Sequence, residues 1–230
     1  MRGRGVMNSD QHSFPKWKRG MDIVLASACF FFLCPLFLAI ATLIKIVSPG
    51  PALLKQKRIG RYGRPFSLWK FRTMHAGADS GLHQEHLKAL IARDAPMVKL
   101  DAGVDPRIIP FGKILRRTCL DELPQLLNVL RGDMSLVGPR PCMPYEAQEY
   151  QNWQKRRFEA VPGMTGLWQV SGKNKTTFTE MIRLDIAYAE NVSFLSDLSI
   201  LVRTIPAIIT GIVESFSCDK RPVREVKRAA

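Results

Sequence analysis

The sequence is short of several things that would have named a function class at once. Its five cysteines, Cys29, Cys34, Cys119, Cys142 and Cys218, are odd in number and show no CxxC spacing. That argues against a disulfide framework or a zinc site and for a reducing compartment. His83 and His86 lack the HExxH spacing and read as a solvated helix surface. Gly172-Lys173 is not a phosphate-binding P-loop, because Asn174 stands where Ser or Thr is needed and Leu167 replaces the first glycine. Internal repeats and low-complexity tracts are missing too. Acid is scarce: 20 Asp and Glu face 34 Lys and Arg, giving a net charge of +14 and a pI near 9.9. Such a balance favours polyanions, whether nucleic acid, anionic lipid or phosphorylated substrates, and charge alone does not choose among them.

What the chain does have is one long apolar run. Between Asp22 and Lys45 no residue is charged. About 22 apolar residues at 1.5 Å rise would reach ~33 Å, enough to cross a bilayer. The run is too long for a signal-peptide core and no small-residue cleavage site follows it, so we read it as retained. Pro35 sits mid-run, where it removes a helical hydrogen bond and favours a bend. Both flanks are basic: Arg2, Arg4, Lys16, Lys18 and Arg19 on one side, Lys45, Lys55, Lys57, Arg58, Arg61 and Arg64 on the other. The positive-inside rule therefore places both ends in the cytosol. A re-entrant helix, bent near Pro35, satisfies both flanks; an ordinary transmembrane anchor is the alternative.

Beyond a Ser48-Pro49-Gly50-Pro51 turn, ALLKQKRIG and PFSLWKFRTM read as strands joined by the Arg61-Tyr62-Gly63-Arg64 turn. Residues 76–100 read as a polar helical insert. A helix is expected from Asp121 to Arg131, with Asp121 as N-cap and Gly132 as the closing cap. GDMSLVGPRP reads as irregular and rigid, Tyr145 to Phe158 as an amphipathic helix, and PGMTGLWQVSG as a turn and strand. Phe178 to Glu190 reads as a helix. Phe194 to Val213, interrupted by Asp197, Arg203 and Pro206, reads as a helix lying in the membrane interface. Trp69, Trp153 and Trp168 suit core packing or stacking on a base, and Asp105 and Asp133 suit turns. The tail from Lys220 reads as loose and lipid-attracted.

The chemistry concentrates in LRRTCLDELPQLLNVLRGDMSLVGPRP. Asp121 and Glu122 are adjacent acids at a helix start, a pattern that the helix dipole alone can explain. Arg116 and Arg117 just upstream, and Arg140 between two prolines, change the balance. Cations gathered around a carboxylate pair suit a phosphate substrate and a divalent metal, and magnesium needs only one or two carboxylates.

These stretches resemble the bacterial sugar transferases, the monotopic phosphoglycosyl transferases that start exopolysaccharide and related glycan assembly. The match runs through SPGPALLKQKRIGRYGRPFSLWKFRTM, DPRIIPFGKILRRTCLDELPQLLNVLRGDMSLVGPRP, RRFEAVPGMTGLWQVSGKN and LDIAYAENVSFLSDLSILVRTI, covering nearly all of residues 16–213. The resemblance implies a catalytic, metal-holding pair, Asp121 and Glu122, with Mg²⁺ or Mn²⁺. It implies substrate contacts at Lys70, Arg72, Arg116, Arg140, Arg157, Gln169 and Lys173, and a kink at Pro35. Cys119, Cys34 and Lys173 stand where the family usually has serine, serine and arginine, which bears on turn stability and donor contacts. The expected layout is a basic arm (1–20), a re-entrant membrane helix (21–47), a catalytic domain (48–215) and a basic tail (216–230), without the four-helix N-terminal bundle of larger members. The expected fold is mixed α/β and helix-rich, a small cytosolic catalytic domain with interfacial amphipathic helices at the bacterial inner membrane. The implied reaction passes a sugar-phosphate from a UDP-sugar to polyprenyl phosphate through an aspartyl intermediate. Membrane lipids are expected partners, with a homo-oligomer and downstream glycosyltransferases as further candidates. A non-catalytic scaffold is the alternative of a different class, and a nucleic-acid binder fits poorly with the long apolar run.

Overall fold

A computed structural model describes residues 14–75, 81–97 and 107–218. The fold is mixed and helix-rich, with two small two-stranded sheets. Helix α1 spans Lys16–Val47 with Pro35 inside it, so helical structure begins ahead of the expected boundary at residue 21. One face of α1 lies against the rest of the protein through Lys18, Asp22, Ala26, Ile40 and Ile44, while Val24, Phe31, Phe32 and Leu38 are exposed. The last helical segment, Phe194–Cys218, is similarly one-sided. Both are long and apolar enough to cross a membrane.

The hairpin forms as the sequence suggests: β1 (Leu53–Ile59) pairs antiparallel with β2 (Pro65–Phe71) across the tight turn Arg61–Gly63. Alternation puts Gln56, Arg58 and Lys70 on one face, since Leu54 is paired with Lys70. Lys55 and Trp69 share the other face, with the ammonium 4.4 Å from the ring centroid. Helix α2 (Gly81–Arg93) falls within the expected polar insert, whose remaining length lies partly outside the described residues, as do Asp105 and the tail from Lys220. Helix α3 (Gly112–Arg117) leads into the region of the two acids.

Several expectations are corrected here. The segment from Asp121 to Arg131 is not one helix but a 3-10 turn, Leu120–Gln125, running into α4 (Leu126–Arg131). Cys119, in the left-handed conformation at φ 58°, precedes the turn, so Asp121 lies inside it and is not the N-cap. Gly132 does close α4, at φ 90°. GDMSLVGPRP is partly regular: β3 (Ser135–Val137) pairs in parallel with β4 (Gly163–Thr165). The expected helix from Tyr145 to Phe158 breaks into α5 (Pro144–Gln148) and a 3-10 turn at Gln154–Glu159. In the gap, Gln154 Oε1 accepts from the Gln151 amide at 2.7 Å, a local side-chain bond that competes with the helix. After β4 the chain forms α6 (Leu167–Val170) where a strand was expected. Helix α7 (Phe178–Glu190) starts on a Thr177/Glu180 capping box, and α8 (Phe194–Cys218) runs unbroken through Asp197, Arg203 and Pro206.

Three apolar clusters tie these elements together. One joins Ala26, Leu126, Val129, Met134, Val137 and Ile200, bringing α1, α4, β3 and α8 into one core. A second, around Trp168, Phe178, Met181 and Tyr150, packs α5, α6 and α7. The third seats Ile40 and Ile44 of α1 on Phe71, Ile109 and Leu115.

Candidate active site

The 3-10 turn that carries Asp121 and Glu122 packs on β2, and both acids come within electrostatic reach of Lys70. Asp121 is 8% exposed. Burial pushes the Lys70 ammonium below its ordinary value; the carboxylates of Asp121 and Glu122 oppose that shift, and Arg58 and Arg116 add to it. Two acids and three cations thus meet at one place, Lys70 beside Asp121. Cations so placed can take the charge of an incoming phosphate.

Arg58, which reads from sequence only as one of several basic flank residues, is a full member of this group. Its guanidinium donates to Gln56 Oε1 at 2.9 Å and to the Pro141 carbonyl at 3.0 Å. Burial, then the neighbouring Arg140, lowers its pKa to about 10. Period-two alternation in LLKQKRI was the available signal, since it puts Arg58 and Lys70 on one face once the hairpin register is known. Arg140 itself is a quarter exposed and pairs with Glu146 at 3.3 Å. Burial opposes its charge most strongly, but the Glu146 carboxylate together with Tyr150 and Cys142 raises its pKa overall.

The remaining expected contacts sit elsewhere. Arg72 is buried and donates to the Ser48 and Pro49 carbonyls at 2.8 and 2.6 Å, so its polar reach closes the chain just past α1. The turn is cut close there: Gly50, at φ 110°, would put a Cβ 2.6 Å from the Arg72 guanidinium. Arg157 is 1% exposed, and its guanidinium bonds Asp185, Tyr150 and the Arg140 carbonyl. Gln169 lies on α6 with its Oε1 buried and unpartnered, and Lys173 occupies a left-handed turn position whose carbonyl accepts from Thr176. Trp168 is core and bonds Thr176, while Asp133 accepts from Asn128 beside the α4 cap. For a metal, Asp121 and Glu122 offer adjacent hard oxygens; among the described residues no group of three or more His, Cys, Asp and Glu side chains is placed to hold one.

The family described as "Bacterial sugar transferase" matches residues 13–211. The chain belongs to the bacterial sugar transferase family. It is thereby an enzyme of the transferase class. The sugar transferase is 38% identical over 191 residues to "Exopolysaccharide production protein ExoY" of Sinorhizobium fredii, covering 83% of this chain and 84% of that one. It is 41% identical over 201 residues to "UDP-glucose:undecaprenyl-phosphate glucose-1-phosphate transferase" of Caulobacter vibrioides, covering 84% and 70%. To "Undecaprenyl-phosphate galactose phosphotransferase" of Salmonella typhimurium it is 39% identical over 199 residues, covering 84% of this chain and 40% of the relative. In the sugar transferase, then, the carboxylate pair and its cations occupy the middle of the matched region.

Proposed function

We propose that this sugar transferase moves a sugar-1-phosphate from a UDP-sugar to polyprenyl phosphate in two steps, with Asp121 as the nucleophile. The observation that carries it is the placement of Asp121 and Glu122 against Lys70, Arg58 and Arg116. The names of the Caulobacter and Salmonella relatives support the substrate classes. In the first step an Asp121 oxygen bonds to the sugar-bearing phosphorus, the bond to the bridging oxygen breaks, and UMP leaves with the electron pair. In the second, a phosphate oxygen of the polyprenyl phosphate attacks the same phosphorus. The acyl phosphate bond breaks, polyprenyl-diphosphate-sugar leaves, and the carboxylate is restored. Dividing the exchange lets each substrate meet the same carboxylate in turn.

Lys70 and Arg116 hold charge on the donor phosphates, with Arg58 and Arg140 extending the cationic surface. Gln169 and Lys173 belong in this reading to donor contacts, and Arg72 and Arg157 act by fixing the chain. Mg²⁺ or Mn²⁺ suits the two adjacent carboxylates, because such ions keep several waters and take further oxygens from substrate phosphates. When bound, the ion supplies charge neutralisation for the diphosphate. The reading places the enzyme at the bacterial inner membrane, catalytic domain in the cytosol, initiating exopolysaccharide or related glycan synthesis.

The test is intact-protein mass spectrometry after incubation with a panel of UDP-sugars, alongside UMP release. Wild type is expected to gain the mass of one phosphosugar, lost on adding polyprenyl phosphate, and Asp121→Asn to gain none. EDTA should stop UMP release and Mg²⁺ should restore it. An adduct on Asp121→Asn would reject Asp121 as the nucleophile.

A further inference from the structure

The GPRP segment is heavily fastened. Five consecutive carbonyls each accept a bond. Pro139 accepts from the Gly163 amide at 2.9 Å, Arg140 from Arg157 at 2.8 Å, and Pro141 from Arg58 at 3.0 Å. Cys142 accepts from the Ile59 amide at 2.9 Å, and Met143 from the Ala147 amide at 3.1 Å. At the near end Gly138 approaches β4 so closely that a Cβ would lie 2.2 Å from the Val161 carbonyl. Backbone so held has one conformation available, and what it presents is the side chain of Arg140.

Glu146 governs that side chain. Its carboxylate is fully enclosed, at 0% exposure. Oε1 accepts from the Tyr150 hydroxyl at 2.7 Å; Oε2 accepts from the Met143 amide and from Arg140 Nη1, both at 3.3 Å. Arg157 stands 4.0 Å away, itself paired with Asp185 at 2.5 Å. Arg140 is the member of this group with an open edge. Against it stands Arg58, a second guanidinium of the same sign. A negative charge on the far side is what keeps Arg140 from swinging away from Arg58, and Glu146 supplies it. Arg140, a quarter exposed, then presents positive charge suited to a phosphate, with the Arg58 guanidinium behind it.

We propose that Glu146 is a positioning residue for the transfer reaction, which holds Arg140 beside Arg58 so that both can meet the substrate phosphates. The proposal rests on the phosphate-transfer reading above, and it reaches beyond that reading by assigning a function to a buried acid that touches no substrate.

A double-mutant cycle on kcat/KM for UMP release tests it, using Glu146→Gln, Arg140→Gln and the pair. Glu146→Gln keeps the shape and the acceptor for Tyr150 but removes the charge. Each single change is expected to lower kcat/KM by about tenfold or more, and the pair to be no worse than Arg140→Gln alone, because residues acting as a unit are non-additive. Losses that multiply would overturn the proposal, since a merely structural role would cost the same in either background. An unimpaired Arg140→Gln would overturn it as well. If Glu146→Gln does not fold, Glu146→Asp, which keeps the charge on a shorter arm, completes the same cycle. The cycle reads UMP release whichever residue is the nucleophile, so a missing aspartyl adduct in the wild type would sink the Asp121 assignment and leave this test intact.

Discussion

At the scale of single residues, the chemistry depends on ionisable groups taken out of water in pairs. Asp185 is the plainest case. Burial lifts its carboxyl to about 6, even with the Arg157 guanidinium 2.5 Å away. The unfolded chain releases that proton near 3.9. Between roughly pH 4 and pH 6 the folded protein therefore binds more protons than the unfolded chain, and stability falls as pH rises through that window. Glu146 works in the opposite sense: burial raises its pKa, but Arg140 and Arg157 lower it further, so its contribution is lost as pH falls. Comparing wild type with Asp185→Asn separates the two, because Glu146 is common to both. The wild type's unfolding midpoint, relative to the variant's, should decline from about pH 4 to about pH 6 and then level. A flat difference across that range would mean that Asp185 is ionised throughout. None of this pairing was legible in the sequence, where Asp185 is one acid on a predicted helix and Arg157 a resemblance-based substrate contact. Asp121, Glu122 and Arg116 were legible as a group from their closeness in the chain, while Lys70 entered only through the family resemblance; the structure brings Lys70 within electrostatic reach of all three. Arg58 was not, because its membership depends on which face of a hairpin it occupies.

At the scale of elements, local pattern served the hairpin and α7 and failed where short 3-10 turns break a helix, at Leu120–Gln125 and Gln154–Glu159. The hairpin declared itself by alternation and the RYGR turn, and α7 by its periodicity. The three-residue strands β3 and β4 did not, since their pairing joins Ser135 to Gly163 across 28 positions and leaves no local pattern. The same long-range logic governs how α1 is held. Lys18 is 3% exposed; it pairs with the fully buried Asp197 of α8 and donates to the Val137 carbonyl of β3 at 2.9 Å. Tyr188 of α7 donates to Asp197 at 2.7 Å, and Asp22 accepts from the Leu136 amide at 2.9 Å. Four elements therefore meet on one buried ion pair. Removing one partner leaves a charge without compensation, which costs about 3–5 kcal/mol, whereas replacing both with apolar residues is often neutral. Asp197→Leu should lower the unfolding midpoint in detergent by roughly 6–20 °C, at about 2–4 °C per kcal/mol. The double variant Lys18→Met/Asp197→Leu should recover most of that. A single variant as stable as wild type would show that the pair does not hold α1 to the domain.

At the scale of the whole molecule, the decisive relation is that between α1 and the domain beneath it. The apolar run alone left re-entry and spanning both open. Its buried residues fall on one helical stripe in two groups, Lys18, Asp22 and Ala26 at one end and Ile40 and Ile44 at the other. From Lys18 to Ile44 an α-helix covers about 39 Å, more than the ~30 Å hydrocarbon core. A spanning α1 would pull the domain, with its buried ion pairs and many cations, alongside it into the lipid. We propose re-entry, in which the exposed face of Val24, Phe31, Phe32 and Leu38 would enter the membrane while both ends stay on the domain's side. In that arrangement basic residues at both ends would gain about 1 kcal/mol each from an anionic cytosolic leaflet. Single cysteines replacing the exposed Lys16 and Glu85, in a background with the native cysteines changed to serine, distinguish the two arrangements. In intact cells both should resist a membrane-impermeant thiol reagent until the inner membrane is opened. Labelling of Lys16→Cys with protection of Glu85→Cys would show that α1 spans. Adding Pro35→Ala isolates the proline: the protected pattern should convert to the spanning one if the missing hydrogen bond at Pro35 is what lets α1 turn back, and should persist if the buried stripe alone holds both ends to the domain.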